Sequence, residues 1–157
     1  MPVIHLQTLI NAPRERVFDL ARSIDTHQAS TGDSGERAVA GVTSGLIGLN
    51  EQVTWEARHL GVKQRLTSKI TQLTRPSHFR DEMLTGAFKH LCHDHTFEER
   101  DGKTLMTDRF EFSAPLGPLG WIAERLFLAA YMRGFIAERN AILRRMAESD
   151  EWKQYLS

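Results

Sequence analysis

Alternating apolar and polar residues on either side of Asp101-Gly102 form the clearest pattern in the chain. The segment Leu91–Phe112 reads LCHDHTFEERDGKTLMTDRFEF. An Asp-Gly pair between two alternating runs predicts a β-hairpin with a two-residue loop, because this turn needs positive φ at both central residues. Counting outward from Arg100 and Lys103 then predicts which side chains share a face of the hairpin.

The predicted register gives the hairpin one face that is apolar except for two histidines and an aspartate. His95 lies opposite Asp108 on this face, and the other inward pairs are Leu91 with Phe112, His93 with Phe110, and Phe97 with Met106. A mostly apolar wall with a few polar groups is typical of a small-molecule cavity. On the other face, Asp94 lies opposite Arg109 as a predicted surface ion pair, and Cys92 is expected to be an inert thiol.

The N-terminal third predicts a strand followed by two helical pieces. Val3–Ile10 is rich in β-branched and apolar residues and predicts the first strand. A helix follows, with Asn11 as its expected cap and Pro13 in its first turn. A second short helical piece is expected over Asp25–Ala29, and the polar segment Ser30–Gly35 predicts a loop.

Further strands are predicted by alternation in the middle of the chain. The expected strands span Glu36–Val42, Glu51–His59, Val62–Leu73 and His78–Leu84. In the second of these, Trp55 and His59 face inward. In the last, either Phe79 with Asp81 or Arg80 with Glu82 faces inward. The segment Thr43–Asn50 fits either a mobile loop over a cavity mouth or a plain connector.

A long helix is predicted from about Leu119 to Ala147, after a break with two prolines and two glycines. Its main apolar stripe consists of Ile122, Leu126, Ala129, Ala130, Ile136, Ala137, Leu143 and Met146. A second strip beside it consists of Leu128, Tyr131, Phe135 and Ile142. A helix that is apolar over this arc must be largely buried. Gly134 in its middle suggests close packing or clearance for a ligand.

The expected order of elements is a strand, two short helices, six strands and a long helix. This order predicts an α+β fold over one domain, residues 1–157. We expect a curved antiparallel sheet of about seven strands wrapped around the C-terminal helix, in a helix-grip arrangement. Where sheet and helix do not fully meet, a cavity remains between them.

Composition narrows the classes of partner. Twenty basic and twenty acidic side chains give a net charge of zero, which predicts no nucleic-acid partner. The one cysteine excludes an internal disulfide. The sequence shows no signal segment and no apolar run long enough to cross a membrane, so we expect a cytoplasmic protein, either a monomer or a homodimer.

Several motifs in order carry a family resemblance. They are Ile10-Asn11-Ala12-Pro13 with Val17-Phe18; Glu51-x-Val53-x-Trp55-x-Ala57-x-His59; His93-x-His95-x-Phe97 with Asp101-Gly102 and Thr107-Asp108; and Pro115-Leu116-Gly117-Pro118-Leu119-Gly120. Together they resemble the SRPBCC (START-like, Bet v 1-like) superfamily, in particular its bacterial polyketide cyclase/CoxG-like branch. The resemblance implies a helix-grip fold with a tunnel for lipids, polyketides or other apolar molecules. It does not imply a single activity, because some members bind and others catalyse.

Polar residues on the expected cavity face suggest chemistry. A carboxylate at Asp108 would orient the His95 imidazole and favour its protonated form, as in a general acid or base. The pair could equally satisfy itself inside the wall. His93 and His95 could chelate zinc if Asp108 or His59 supplied a third ligand, but we expect neither a metal nor a cofactor.

The expected ligand-binding residues come from the inner strand faces and the helix. They are Trp55, His59, Gln64, Leu66, Leu91, His93, His95, Phe97, Met106, Asp108, Phe110, Phe112, Leu126, Ala130 and Arg133. Arg133 could pair with Asp108 or meet an anionic ligand, although a solvated arginine is more common. The remaining basic residues of the helix, Arg139 among them, alternate with acids and are expected to be solvated.

Three functions fit these observations. The first is binding or carriage of a hydrophobic small molecule, with the polar residues orienting one end of it. The second is a polyketide cyclase/aromatase-like enzyme in which His95 and Asp108 transfer protons. The third is an interaction module that docks a partner on the apolar helix edge or on the loop between Gly41 and Asn50.

Overall fold

In a computed structural model that describes residues 1–31 and 34–156, seven antiparallel strands form one sheet against a long C-terminal helix. The strands are β1 (Val3–Ile10), β2 (Arg37–Gly41), β3 (Gln52–His59), β4 (Val62–Thr74), β5 (His78–Thr85), β6 (His90–Arg100) and β7 (Lys103–Ser113). The helices are α1 (Arg14–Ala21), α2 (Ile24–Ser30), α3 (Gly117–Ala123) and α4 (Ala129–Glu148), with a 3₁₀ turn over Glu151–Gln154.

The strand order across the sheet is β1-β7-β6-β5-β4-β3-β2. Strands β2 to β7 therefore pair with their neighbours in the chain, while β1 closes the far edge beside β7. The predicted α+β helix-grip fold and its order of elements are confirmed. Part of the predicted loop 30–35 lies outside the described residues. Within the described residues, no helix is both long enough and apolar enough to span a membrane.

The Asp101-Gly102 turn sets the register of β6 and β7 as predicted. Both residues have positive φ, 52° and 79°, and the strands pair outward from Arg100 and Lys103. His95 lies opposite Asp108, as expected from this count.

The registers of β3 with β4 and of β5 with β6 are also defined. Strands β3 and β4 pair in the register that the alternation predicts, with Glu56 opposite Arg65 and Arg58 opposite Lys63. Glu56 offsets the repulsion between the two like charges, because its carboxylate lies 3.3 Å from Lys63 and 3.0 Å from Arg65. In β5 the inward residues are Phe79 and Asp81, which face His95 and His93 on β6.

The predicted surface ion pair between Asp94 and Arg109 is wrong. Asp94 instead accepts hydrogen bonds of 2.8 and 2.9 Å from Arg80 on β5, and Arg109 bonds Glu111 at 2.8 Å. The reason is that β6 is a central strand, so Asp94 has a cross-strand neighbour on each side. Cys92 is buried beside this cluster, and burial raises the pKa of its thiol to about 11.

The start of α1 differs from its prediction. Pro13 occupies the N-cap position without a side-chain cap. Asn11 does not cap the helix; its backbone N–H donates to Glu148 at the end of α4. A side-chain cap is found on α2 instead, where Ser23 accepts a hydrogen bond of 3.1 Å from the N–H of Thr26.

The segment between β2 and β3 is a connector held against α2. The backbone N–H of Ile24 donates to Gly45, and that of Ile47 donates to Arg22. The Ile47 side chain is 3% exposed and belongs to the core. Of the two interpretations of this glycine-rich stretch, the structure therefore favours the plain connector.

A π-helical turn over Glu124–Leu128 joins α3 to α4 and changes the face that the helix buries. Ile136 and Leu143 are buried as predicted, but Ile122 and Leu126 are 44% and 73% exposed. One extra residue in a helical turn rotates the following residues by about 100° relative to the preceding ones. The predicted stripe is therefore wrong at Ile122 and Leu126, and it is too wide within α4, where Ala130 and Ala137 are exposed.

Two contacts accompany the π-helical turn. The carboxylate of Glu124 accepts a hydrogen bond from the backbone N–H of Ala114. A Cβ on Gly120 would lie 1.9 Å from the Pro115 carbonyl oxygen, so the helix can approach this loop only at a glycine. Gly134, in contrast, lies in open space, so neither close packing nor ligand clearance accounts for it.

Two apolar clusters fill the space between sheet and helices. One surrounds Phe18 of α1 and includes Trp55, Phe79 and Phe97. The other surrounds Ile136 of α4, with Phe110, Phe112 and Leu91 among its members. Residues of both clusters border a cavity between the sheet and the helices.

Candidate functional site

A cavity of about 160 Å³ lies between α4 and the inner faces of strands β3 to β7. We call it the apolar compartment. A second space of about 80 Å³ lies against α1, α2 and strands β3 to β6, and we call it the polar compartment. The residues that border both are His27, Trp55, Ser68, Asp81, His93 and Arg139. The two spaces are therefore neighbouring parts of one site.

Some of the expected ligand-binding residues line the apolar compartment. They are Trp55, His59, Gln64, Leu66, Leu91, His93 and Phe110. The helix contributes Leu128, Tyr131 and Phe135, which belong to the second apolar strip predicted from the sequence. The inner faces of the strands were thus assigned correctly from alternation alone.

Phe97, Met106 and Phe112 lie outside the cavity wall, which corrects their expected place. The ring of Phe18 on α1 packs edge-on against Phe97 at 5.2 Å and fills that end of the sheet. Met106 belongs to the same cluster. Phe112 packs against Phe88 and Phe110. These residues have the predicted inward orientation, but other side chains already occupy the space in front of them.

Leu126, Ala130 and Arg133 were expected to line the cavity and are exposed instead. The π-helical turn rotates Leu126 away from the sheet. Ala130 borders an outer groove. Arg133 does not approach Asp108; its guanidinium lies 3.4 Å from the carbonyl oxygen of His5.

His95 is enclosed inside the sheet face and borders only the polar compartment of the cavity. Its ring lies between those of His93 and Phe79, at centroid distances of 3.8 and 4.2 Å. Its Nε2 is 3.0 Å from Asp81 Oδ2, and its Nδ1 is 3.2 Å from Asp108 Oδ1 without the alignment of a hydrogen bond. His95 is 2% exposed, and in this conformation it does not line the apolar compartment, where its side chain was expected.

Asp108 is the centre of a buried hydrogen-bond network. Its Oδ1 is 2.7 Å from His93 Nε2, and its Oδ2 accepts a hydrogen bond of 2.6 Å from Asn140 on α4. Asp108 itself is 1% exposed and borders neither compartment. The residue that connects this network to the cavity is therefore His93.

Burial and neighbouring charges set different protonation states for the two histidines. Burial opposes the charge on His95, but the carboxylates of Asp108 and Asp81 outweigh it and raise its pKa. Burial and the nearby His95 lower the pKa of His93 despite its bond to Asp108. Although burial alone would raise it, the pKa of Asp108 is well below its usual value because His93 and His95 are adjacent. Of the two rings, the cluster therefore favours the proton on His95 over the proton on His93.

Glu36 holds a second polar network at the edge of the apolar compartment. His27 bonds Glu36 through Nε2, and the ring of His27 stacks on Trp55 at 4.2 Å. His59 Nε2 is 3.4 Å from the same carboxylate, and its Nδ1 is 2.8 Å from the hydroxyl of Tyr131. Burial opposes the charge on Glu36, but His27 and His59 lower its pKa to about 2.

Local sequence patterns carry no direct signal for this network, because its members come from α2, the start of β2, β3 and α4. His59 was expected on the cavity wall, whereas His27 and Glu36 were not singled out. A helix that ends beside a strand brings them together, and that contact is not visible in local periodicity.

Arg139 is the most consequential residue that sequence reasoning missed. It was expected to be solvated but is 7% exposed and borders both compartments. A signal for this was present, since Arg139 lies three residues after Ile136 and four before Leu143 on the buried face. Burial opposes the charge on Asp81, but His95, His93 and Arg139 together lower its pKa.

Asp81, His93 and His95 could together supply three metal ligands. One donor atom from each lies within 4.8 Å of the others, and imidazole with carboxylate is a donor set that zinc and iron accept. The third member of this group is Asp81, whereas the sequence suggested Asp108 or His59 as the residue that could supply a third ligand. In this conformation His95 and Asp81 bond each other, so a metal would have to displace that bond.

The sheet, the gripping helix and the enclosed cavity define a helix-grip protein. The chain belongs to the family described as "Polyketide cyclase / dehydrase and lipid transport", whose profile matches residues 1–148. This confirms the superfamily resemblance seen in the sequence and supports binding of a hydrophobic ligand in general. No curated protein matches the chain.

Solved structures share this fold at low sequence identity. The Thermus thermophilus protein TTHA0849 has a TM-score of 0.77 and 17% identity over 93% of this chain and 97% of that one. A START superfamily protein from Mycobacterium smegmatis has a TM-score of 0.69 and 11% identity, with 93% and 97% covered. The major latex-like protein 151 of Panax ginseng has a TM-score of 0.64 and 12% identity, with 94% and 98% covered.

Proposed function

We propose that this protein binds and carries a compact apolar molecule in the apolar compartment, without changing it chemically. The observation that carries this proposal is the lining of that compartment. Aromatic and aliphatic side chains such as Leu66, Leu91, Phe110 and Phe135 form most of its wall, and burial of apolar surface would supply most of the affinity. His59, His93 and Tyr131 would orient a polar end of the molecule.

The volume of the compartment favours a small ligand. At about 160 Å³, it is close to the size of an engineered cavity that binds benzene, about 150 Å³. Cavities for drug-sized ligands are larger, roughly 300–1,000 Å³. A molecule built on one or two rings therefore fits this conformation, whereas a long lipid chain would require α4 to move away from the sheet.

An NMR titration of the full chain tests this proposal. Toluene, naphthalene and palmitate would be added in turn, and the amide signals of Leu66, Leu91 and Phe110 followed. We expect the two ring compounds to shift these signals and palmitate to bind more weakly. Native mass spectrometry of the protein purified from its own host would then give the mass of a natural ligand.

A matched pair of variants locates the binding. Ala57 is buried on the cavity wall, whereas Ala137 is exposed on α4. Ala57→Leu should fill the compartment and weaken binding of the ring compounds by at least about tenfold, a change of about 1.4 kcal/mol. Ala137→Leu should leave it unchanged. If no apolar probe shifts the cavity signals of the wild type, or if both variants bind alike, the proposal fails.

A second candidate function is proton-transfer catalysis of the cyclase type, and the bond between His93 and Asp108 favours it. If His93 is neutral and donates from Nε2 to Asp108, its Nδ1 retains the lone pair that a general base needs. The enzyme would therefore use His93, oriented by Asp108, in place of His95. His93→Gln should then abolish turnover of a polyketide-like substrate with near-normal binding, whereas a carrier would show no turnover to lose.

A further inference from the structure

Arg139 is a buried cation with almost no partners. Its side chain is 7% exposed, and one of its terminal nitrogens donates a long hydrogen bond of 3.5 Å to the carbonyl oxygen of Ala21. In the part of the chain that the structure describes, its Nε has no hydrogen-bond partner. Among residues 1–31 and 34–156, no carboxylate lies within 4.0 Å of its guanidinium.

This arrangement is energetically unfavourable unless another group completes it. A guanidinium has five N–H donors and does not lose its charge in proteins. Buried charges are normally paired, because the removal of a charge from water without a partner strongly destabilises the folded state. The nearby carboxylate of Asp81 bonds His95 and does not neutralise Arg139 directly.

The position of Arg139 indicates where the completing group comes from. Arg139 borders both the apolar and the polar compartment. Phe135 and Ile136, about one helical turn earlier on α4, line the apolar compartment. A molecule whose apolar body lies beside these two residues would therefore direct one end at the guanidinium.

The shape and charge of the guanidinium select the kind of end group. Arginine presents parallel N–H donors in a plane, and these match the two oxygens of a carboxylate. The walls around it offer little space, about 80 Å³ in the polar compartment, which suits a carboxylate better than a bulkier anion. The exposed arginines of the same helix, such as Arg144, do not face a cavity of this kind.

We propose that Arg139 binds the carboxylate of an apolar carboxylic acid whose hydrocarbon body occupies the apolar compartment. The proposal rests on the function proposed above and adds the chemical class of the ligand. The alternative is that Arg139 has a structural role alone, through its contact with Ala21 at the end of α1.

Isothermal titration calorimetry with a matched pair of probes tests this inference. The probes are 3-phenylpropionate and 3-phenylpropanamide, which have the same size and shape but differ in charge. The full-length wild type should bind the carboxylate at least about tenfold more tightly than the amide, because hydrogen bonds between charged groups are stronger than neutral ones. The ¹⁵Nε signal of Arg139 should shift with the carboxylate and not with the amide.

Variants of Arg139 and a matched control complete the experiment. Arg139→Met should remove the preference for the carboxylate, and Arg139→Lys should retain part of it because the charge remains but the paired donors are lost. Arg144→Met, on an exposed part of the same helix, should change nothing. If Arg139→Met does not fold, the comparison of the two probes on the wild type and on Arg139→Lys still decides the question.

The possible outcomes separate this inference from the proposed function. Equal binding of both probes to the wild type, with an unmoved ¹⁵Nε signal, overturns the role of Arg139 and leaves apolar binding intact. A carboxylate preference that survives undiminished in Arg139→Met also overturns it. Failure of both probes, together with toluene and naphthalene, overturns the proposed function itself.

Discussion

Asn140 donates a hydrogen bond of 2.6 Å from its Nδ2 to Oδ2 of Asp108, and this bond joins the middle of α4 to β7. Both residues are buried, at 3% and 1% exposure. The same carboxylate bonds His93 through its other oxygen. The position of the gripping helix and the orientation of His93 therefore depend on one side chain.

Loss of this bond should destabilise the fold. We expect Asn140→Ala to lower the free energy of unfolding by about 1–3 kcal/mol, because a buried charged acceptor loses a donor. Asp108→Ala should cost more, about 3–5 kcal/mol, because it leaves the charge on His95 with one carboxylate fewer. Urea unfolding measures both. Glu138→Ala, exposed on the same helix, is the control, and equal stability of all variants would contradict the network.

Protonation of Glu36 should destabilise the protein in acid. Its pKa is lowered from 4.5 to about 2 in the folded state, because His27 and His59 outweigh the effect of burial. A group with a lowered folded pKa contributes stability above its unfolded pKa and loses it as the pH falls. We expect Glu36 to contribute about 3 kcal/mol at pH 5 and progressively less toward pH 2.

Urea unfolding of wild type and Glu36→Gln between pH 5 and pH 2 measures this contribution. The difference between the two proteins should be largest at pH 5 and should shrink as the pH falls. Glu99→Gln, exposed in β6, should stay within about 0.5 kcal/mol of the wild type throughout. A constant difference for Glu36→Gln would show that its carboxylate is not the group that titrates.

The pKa values of the two adjacent histidines, His93 and His95, should shift in opposite directions from the usual value of 6.5. Burial opposes the charge on His95, but Asp108 and Asp81 raise its pKa, while burial lowers the pKa of His93. The contribution of His95 to stability is therefore present below pH 6.5 and lost as the pH rises through its folded pKa. His93 has the opposite effect on stability. Because its pKa is lowered in the folded state, protonation below pH 6.5 favours the unfolded chain, and stability falls as the pH falls.

Long-range ¹H–¹⁵N spectra of the imidazoles check this assignment. At pH 6.5, we expect His95 to be mostly doubly protonated and His93 to be mostly neutral. Asp81→Asn should lower the pKa of His95, since it removes one of the two carboxylates. If His93 is instead the protonated ring, its proposed use as a base is excluded.

The face that the C-terminal helix buries can be tested with two truncations. Ile136→Ala should lower the free energy of unfolding by about 2–5 kcal/mol, because it opens a void in the second apolar cluster. Leu126→Ala should change it by less than about 0.5 kcal/mol, because its side chain is 73% exposed. Thermal and urea unfolding would measure both. Equal costs would mean that one continuous stripe is buried, without the π-helical turn.

Gly134→Ala should stabilise the protein. Gly134 lies in the middle of α4, on the face exposed to solvent. A Cβ at this position would meet no atom of the described residues within 4 Å. Alanine is favoured over glycine by about 1 kcal/mol in a helix interior. Gly120→Ala is the opposite case, since its Cβ would collide with the Pro115 carbonyl, and it should be destabilising. A destabilised Gly134→Ala would show that the glycine has a role absent from this conformation.

The strand pairing was predictable because its determinants are local. A two-residue Asp-Gly turn determines which residues of β6 and β7 face each other, and alternation then assigns each side chain to a face. For this reason, the positions of His93 and His95 relative to Asp108 followed from counting. What counting could not supply was which side chains from other elements stand in front of them, as Phe18 does for Phe97.

The buried face of the C-terminal helix was harder to predict, because the rotation of the helix about its axis depends on tertiary contacts. The π-helical turn is accompanied by the bond from Ala114 to Glu124 and by the contact of Gly120 with Pro115. A periodic pattern assumes a constant turn, so one inserted residue displaced the expected position of Leu126. Ala130 follows the turn, and its exposure shows that the predicted stripe was too wide. Arg139 was missed for a different reason: its charge suggested solvent although its spacing suggested the core.

The place of β1 in the sheet has a consequence for synthesis on the ribosome. Strands β3 to β7 can each pair with the strand that precedes them as the chain emerges. β1 emerges first, yet its partner β7 is the last strand to appear. Its apolar residues, including Ile4 and Ile10, therefore have no sheet partner during most of translation. During that time the strand is accessible to chaperones and can pair with the wrong segment.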